Sequence, residues 1–90
     1  MFRMWGKTVK NHHTLQDTVV EFPYDRRSRT QKVFDALDEI CRRFDLAHPI
    51  WLDANVEELQ RRSKVRFTQD SFVETLDFDY LEMEIIEEDY

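Results

Sequence analysis

The strongest hydrophobic periodicity in the chain lies between Ser28 and Leu46. Apolar side chains recur there at the spacing of one helical face: Val33, Leu37, Ile40, Cys41 and Phe44. Pro49 cannot continue a helix, and it biases the residue before it toward an extended conformation. The pattern therefore predicts one long amphipathic helix that ends near Leu46.

Alternation of polar and apolar residues predicts strands at both ends of the chain. Residues 2–10 place Trp5 beside charged neighbours on one face, and residues 15–22 are rich in β-branched side chains. We expect these two segments to form a hairpin around the polar break at 11–14. The cleanest alternation follows Tyr80, with Leu81, Met83 and Ile85 on one face and Glu82, Glu84 and Ile86 on the other.

The middle of the chain contains shorter signals. Residues 50–52 are apolar and predict a short strand that enters the core. Asn55 and Glu58 have the spacing of a capping box, which predicts a short helix from Asn55 to about Arg62. Val65 and Phe67 fit a further strand, while residues 70–77 fit either a loop or a single helical turn.

These elements predict a single α+β domain over residues 1–90, with an N-terminal hairpin, a long helix, a short helix and a C-terminal strand in a mixed sheet. The order resembles that of the ubiquitin-like β-grasp, in which the last strand lies beside the first. The final residues, 87–90, lack the paired glycines of conjugated ubiquitin-like proteins. We therefore do not expect a modifier.

Composition narrows the functional class. The chain is 41% hydrophobic and 36% charged, and it has no apolar run near the roughly 20 residues of a membrane span and no secretory signal. This composition, together with the single cysteine Cys41, predicts a cytoplasmic protein that does not bind membranes. Gly6 is the only glycine. This excludes the glycine-rich phosphate loops and the nucleophile elbow, and we assign no cofactor, metal ligand or catalytic residue.

Charge is distributed unevenly along the chain. Residues 70–90 contain nine acids and no Lys or Arg, whereas residues 1–69 carry a net charge of +3. One hypothesis is an acidic surface for a basic partner. The alternative is internal pairing, in which Glu82 and Glu84 face Arg3 and Lys7 on the first strand. In either case residues 87–89 lie at or beyond the end of the last strand, where we expect them to be free for a partner.

Three functional hypotheses follow. The leading one is a non-enzymatic protein-interaction or regulatory module, binding a protein partner or a second copy through Trp5, Glu87, Glu88 and Asp89. The second is a nucleic-acid-binding protein that uses Arg61, Arg62, Lys64 and Arg66, with Phe67 stacking on bases. The net charge of −6 argues against a nucleic-acid partner, because a polyanion is bound by positive charge. The third is a small hydrolase or metal-dependent enzyme with Glu82 and Glu84 as paired carboxylates.

Three runs carry a resemblance to a known family: Met4-Trp5-Gly6-Lys7, Pro49-Ile50-Trp51-Leu52-Asp53 and Phe78-Asp79-Tyr80-Leu81-Glu82. They resemble a family of short, uncharacterised bacterial proteins over nearly the whole chain. The resemblance implies a free-standing cytosolic protein. It implies no activity, cofactor or catalytic residue.

Overall fold

A computed structural model of the protein describes residues 1–88 as an α+β fold. The elements are β1 (Phe2–Lys10), β2 (His13–Phe22), α1 (Arg29–Phe44), α2 (Asp53–Arg62), β3 (Lys64–Phe67) and β4 (Tyr80–Glu87). A 3-10 turn at Gln69–Ser71 and an irregular segment connect β3 to β4. The predicted hairpin, both helices and the final strand are therefore present.

The four strands form one sheet in the order β2-β1-β4-β3, and every neighbouring pair is antiparallel. The prediction of a mixed sheet is wrong. β4 does lie beside β1, as the β-grasp-like order predicts, but the two strands run in opposite directions. β3 lies on the other side of β4 and is antiparallel to it as well.

The N-terminal hairpin closes through two residues with left-handed backbone conformations, Asn11 (φ 51°) and His12 (φ 66°). Such a pair gives the turn the twist that matches two right-handed strands. Asparagine tolerates this conformation better than most residues, which explains its place at the tip. The turn sets Lys10 opposite His13 and starts the ladder between β1 and β2.

α1 packs its predicted apolar stripe onto one face of the sheet. The hydroxyl of Ser28 accepts a hydrogen bond from the backbone N–H of Gln31 (3.1 Å) and caps the first turn. Asp45, in a left-handed conformation (φ 56°), ends the helix one residue earlier than Leu46. Gly6 of β1 lies under Ile40, and its lack of a side chain lets the helix approach the strand closely.

Two predictions for the middle of the chain are wrong. Residues 50–52 form no strand; Trp51 instead packs edge-to-face against Phe67, with ring centroids 4.9 Å apart. α2 begins at Asp53 rather than at Asn55, because Asn55 occupies the third helical position. Its side-chain Oδ1 accepts a hydrogen bond from the backbone N–H of Leu52 (3.0 Å). Asn55 therefore still provides a hydrogen-bond partner for a backbone donor at the start of the helix, although it lies within the helix.

Candidate functional site

The face of the sheet opposite α1 carries charges whose sign alternates from strand to strand. We call it the charged face; its charges are Asp17 and Glu21 on β2, Arg3 and Lys7 on β1, Glu82 and Glu84 on β4, and Lys64 and Arg66 on β3. Each strand pair therefore sets acids against bases. Opposite charges that face each other across strands stabilise a sheet by roughly 0.2 to 1 kcal/mol per pair. Much of the segregated charge in the sequence is thus paired within the fold.

Glu82 is the centre of this face and is only 4% exposed. Its carboxylate accepts a hydrogen bond from Arg66 Nε (2.7 Å) and lies 3.3 Å from Lys7 Nζ. Burial alone would raise the pKa of Glu82, but the hydrogen bonds from Arg66 and Lys7 outweigh it and lower the pKa. A carboxyl held ionised in this way is poorly suited to act as a general acid, which is what the hydrolase hypothesis needs from one of its two carboxylates.

Glu84 lies in a different environment from Glu82. It pairs with Trp5 on one side and Lys64 on the other. The predicted opposition of Glu84 to Arg3 or Lys7 is wrong, because the pairing of Lys7 with Glu82 places Glu84, two residues further along β4, opposite Trp5. The β1–β4 register also shifts between Arg3 and Met4. At this shift Ile86 has no partner on β1, and Arg3 pairs with Glu87.

Trp5 lies half-buried on the charged face, away from α1. The helix α1 therefore covers the other face of the sheet, where Met4 packs in the core. The indole Nε1 donates a hydrogen bond to Asp17 (2.9 Å), and the ammonium of Lys7 lies 4.4 Å from the ring centroid. These contacts engage both the polar edge and a face of the ring.

The terminal acids that the sequence leaves free for a partner are paired within the chain. Glu87 lies 3.7 Å from Arg3, and Glu88 accepts a hydrogen bond from Arg29 Nε at 2.5 Å. The expectation that these two side chains are free is therefore wrong, because the fold brings basic residues from β1 and α1 to the end of β4. Asp89 lies outside the described residues.

The basic cluster of the nucleic-acid hypothesis is divided between two elements. Arg61 and Arg62 are exposed in the last turn of α2, whereas Lys64 and Arg66 lie on β3 opposite acids. Phe67 is fully buried, so its expected role in stacking on bases is wrong. The strand alternation that sends Arg66 to the charged face sends Phe67 into the core.

The three histidines and the cysteine lie in different elements of the fold. His12 is in the hairpin turn, His13 begins β2, and His48 Nε2 lies 2.9 Å from Asp38 Oδ1. Cys41 is buried on the sheet side of α1. Its burial, with a smaller effect of Asp38, raises the thiol pKa to about 11, so it remains protonated at neutral pH.

An apolar groove lies between α1 and α2, with a volume of about 230 Å³. Its apolar lining consists of Val33, Phe34, Trp51, Val56 and Leu59. Thr30 and Gln60 add uncharged polar groups, and Arg29, bound to Glu88, adds the one charged group in the lining. The groove therefore combines an apolar interior with few polar groups, as binding sites do.

Two side chains of the groove are unusually exposed for their type. Phe34 is 46% exposed and Val56 is 41% exposed. The Phe34 ring packs edge-to-face on Trp51, with centroids 5.8 Å apart, and Trp51 in turn packs edge-to-face on Phe67 of the core. The aromatic surface is therefore backed by the core and positioned before any partner binds.

Sequence analysis missed this groove. Phe34 follows Val33 at the edge of the helical stripe, and an aromatic residue in that position widens the apolar face beyond what one sheet contact needs. That was the available signal. Nothing in the sequence pattern indicates that α2 brings Val56 beside Phe34.

Within residues 1–88, no helix has the length and apolar character needed to cross a membrane. The resemblance to short bacterial proteins stays a prediction. Comparison of the chain with protein-family models, curated proteins and solved structures found no match in any of the three.

Proposed function

We propose that this protein is a non-enzymatic protein-interaction module whose docking site is the groove between α1 and α2. The observation that carries the proposal is the aromatic and aliphatic surface left open at the groove, where Phe34 and Val56 are half-exposed and Trp51 forms part of the lining. Buried aromatic and aliphatic anchors contribute most of the binding energy in protein interfaces. A fixed apolar groove is the surface that receives such an anchor.

The size of the groove favours a polypeptide partner. Its volume of about 230 Å³ is below the roughly 300 to 1,000 Å³ of most small-molecule sites. One or two large apolar side chains of a partner segment fill such a space. Thr30 and Gln60 at the rim supply hydrogen-bonding groups for the backbone of that segment, as the polar rim does in other interfaces.

The test is a selection of random peptides displayed on phage against the wild-type protein, followed by synthesis of the enriched peptides. We expect enrichment of sequences with one or two aromatic or large aliphatic anchors. Binding is measured by Trp51 fluorescence in a Trp5→Phe background. Val56→Lys should weaken binding at least about tenfold, since it places a charge in the path of the anchor.

Val73→Lys is the matched control, because Val73 is 94% exposed and lies outside the groove. It introduces the same charge on the same residue type and should leave the affinity unchanged. The proposal is refuted by equal loss of binding in both variants. Selected peptides that lack apolar anchors also refute it.

A further inference from the structure

The sheet has two edges, and they differ in how much backbone they leave open. At the β3 edge, the N–H of Arg66 donates to Glu58 Oε1 (3.0 Å) and the carbonyl of Arg66 accepts from Asn55 Nδ2 (3.2 Å). Both acceptor and donor come from α2, so side chains close the centre of this four-residue strand. Closure of an exposed edge by side chains prevents another strand from pairing there.

The β2 edge is longer and more open. Within the described residues, β2 pairs with β1 alone, over a strand of ten residues. The carbonyl of Val19 accepts a hydrogen bond from Arg43 Nη1 (3.0 Å) and so points away from β1. Because backbone groups alternate in direction along a strand, those of Asp17 and Glu21 also point outward. Both residues are exposed.

The two charged side chains that β2 itself carries on this part of the edge, Asp17 and Glu21, are both acidic. Asp17, Val19 and Glu21 pair with Lys7, Trp5 and Arg3 and therefore lie on the charged face. Across that face the sign runs positive on β3, negative on β4, positive on β1 and negative on β2. The next strand added beyond β2 is favoured if it carries positive charges opposite Asp17 and Glu21.

We propose that the outer edge of β2 is a docking site for an extended segment of another polypeptide with basic residues four positions apart. The two basic side chains lie opposite Asp17 and Glu21, and an apolar residue midway between them lies opposite Val19. Main-chain hydrogen bonds supply affinity and the alternate side chains supply specificity, as in other complexes formed by strand addition. This surface is separate from the groove between α1 and α2 and does not depend on the function proposed there.

A second copy of the chain fits this edge less well. In the two-fold antiparallel pairing centred on Val19, Asp17 of one copy lies opposite Glu21 of the other. Like charges directly opposite each other destabilise a sheet. The acidic edge therefore selects against self-association and for a basic partner.

The side chain of Arg43 covers one backbone group of the edge. Its guanidinium Nη1 donates hydrogen bonds to the Val19 carbonyl (3.0 Å) and to Thr18 Oγ1 (2.6 Å). Its Nε donates a further hydrogen bond to Glu39 Oε2 on α1 (3.0 Å). An incoming strand takes the Val19 carbonyl in place of Arg43. The arginine is thus a removable cap, and its loss should favour binding.

The probe is the peptide acetyl-Thr-Lys-Thr-Val-Thr-Lys-Thr-amide, titrated into ¹⁵N-labelled protein at low salt. We expect shifts of the amide signals of Asp17, Val19 and Glu21, and a severalfold weaker interaction at high salt. The matched peptide with Glu in place of both Lys should bind at least about fivefold more weakly. N-methylation of the central Val keeps the charges but removes the hydrogen bond to Val19, and it should abolish binding.

Protein variants separate the contributions. Glu21→Lys leaves one acidic and one basic residue at the edge and should therefore abolish the preference between the two peptides. Arg43→Ala should tighten binding of the Lys peptide. If Glu21→Lys fails to fold, Asp17→Asn is the milder replacement, and it should weaken binding of the Lys peptide. Phe34→Lys, a change in the groove, should have no effect.

Four results overturn the proposal. Equal binding of the Lys and Glu peptides removes the charge argument. Binding that survives N-methylation, or an absence of binding, removes strand addition. A dimer by light scattering, with the amides of Asp17 and Glu21 protected from exchange without peptide, assigns the edge to a second copy.

Discussion

Replacement of Gly6 by alanine tests how closely α1 and β1 are packed. A Cβ atom at position 6 would lie 2.7 Å from Cδ1 and 2.8 Å from Cγ2 of Ile40. Carbon atoms in contact prefer about 3.5 to 4.0 Å. Ile40 is fully buried, so its side chain has no solvent to move into. The added methyl group must therefore displace the helix or force Ile40 out of its rotamer.

The expected cost follows from two opposing effects. Overpacking a core by one or two methyl groups costs about 1 to 3 kcal/mol. Alanine in a strand recovers about 0.5 to 1 kcal/mol relative to glycine, because the unfolded chain loses freedom. The difference between these two ranges is about 0 to 2.5 kcal/mol. Because two contacts of the added methyl group would be shorter than 3.0 Å, we expect a net loss of about 1 to 2 kcal/mol in the free energy of unfolding. For a domain of this size the loss lowers Tm by about 5 to 15 °C.

Urea unfolding followed by circular dichroism measures this loss, provided that the m-value is unchanged. Ile40→Val removes Cδ1, the atom closest to the new methyl group, and is the compensating change. The double variant should be more stable than the sum of the two single effects by at least about 0.5 kcal/mol. A Gly6→Ala protein as stable as the wild type, or strictly additive effects, refutes the close contact.

Three further predictions concern buried polar groups. Glu82→Gln should lower the free energy of unfolding by about 1 to 2 kcal/mol at pH 7. Because the folded pKa of Glu82 is below its ordinary value of 4.5, the ionised carboxylate stabilises fully above that value and its contribution is lost as the pH falls through the folded pKa. The wild-type and Gln proteins should therefore converge in acid, and a constant difference argues against the pairing. Asn55→Ala should cost about 2 to 3 kcal/mol, since the side chain bonds Leu52, Ser71 and Arg66; Asn55→Asp keeps the acceptor and should cost less, and equal losses contradict this. Cys41 should react with iodoacetamide at pH 8 only as fast as the protein opens, because burial raises its pKa to about 11; labelling of the folded protein as fast as that of a denatured sample contradicts its burial.

Local patterns along the chain determined the secondary structure well. The stripe from Val33 to Phe44 and the alternation from Tyr80 to Glu87 predicted α1 and β4, because period and polarity are properties of neighbouring residues. Residues 50–52 misled the prediction, because a short apolar run has no periodicity that distinguishes a strand from a packed loop. Trp51 is buried by contacts with Phe34 and Phe67, which are distant in sequence.

The tertiary structure alone decided the two candidate surfaces. Strand register, including the extra residue Ile86, chose Glu87 rather than Glu84 as the partner of Arg3. The packing of α2 beside α1 brought Val56 to Phe34 and formed the groove. Side chains of α2 also bond to the backbone of β3 and close that edge of the sheet, whereas β2 forms the edge that stays open. Each of these outcomes depends on contacts between residues far apart in the chain, so the sequence by itself determined the elements while their association determined which surfaces remain available.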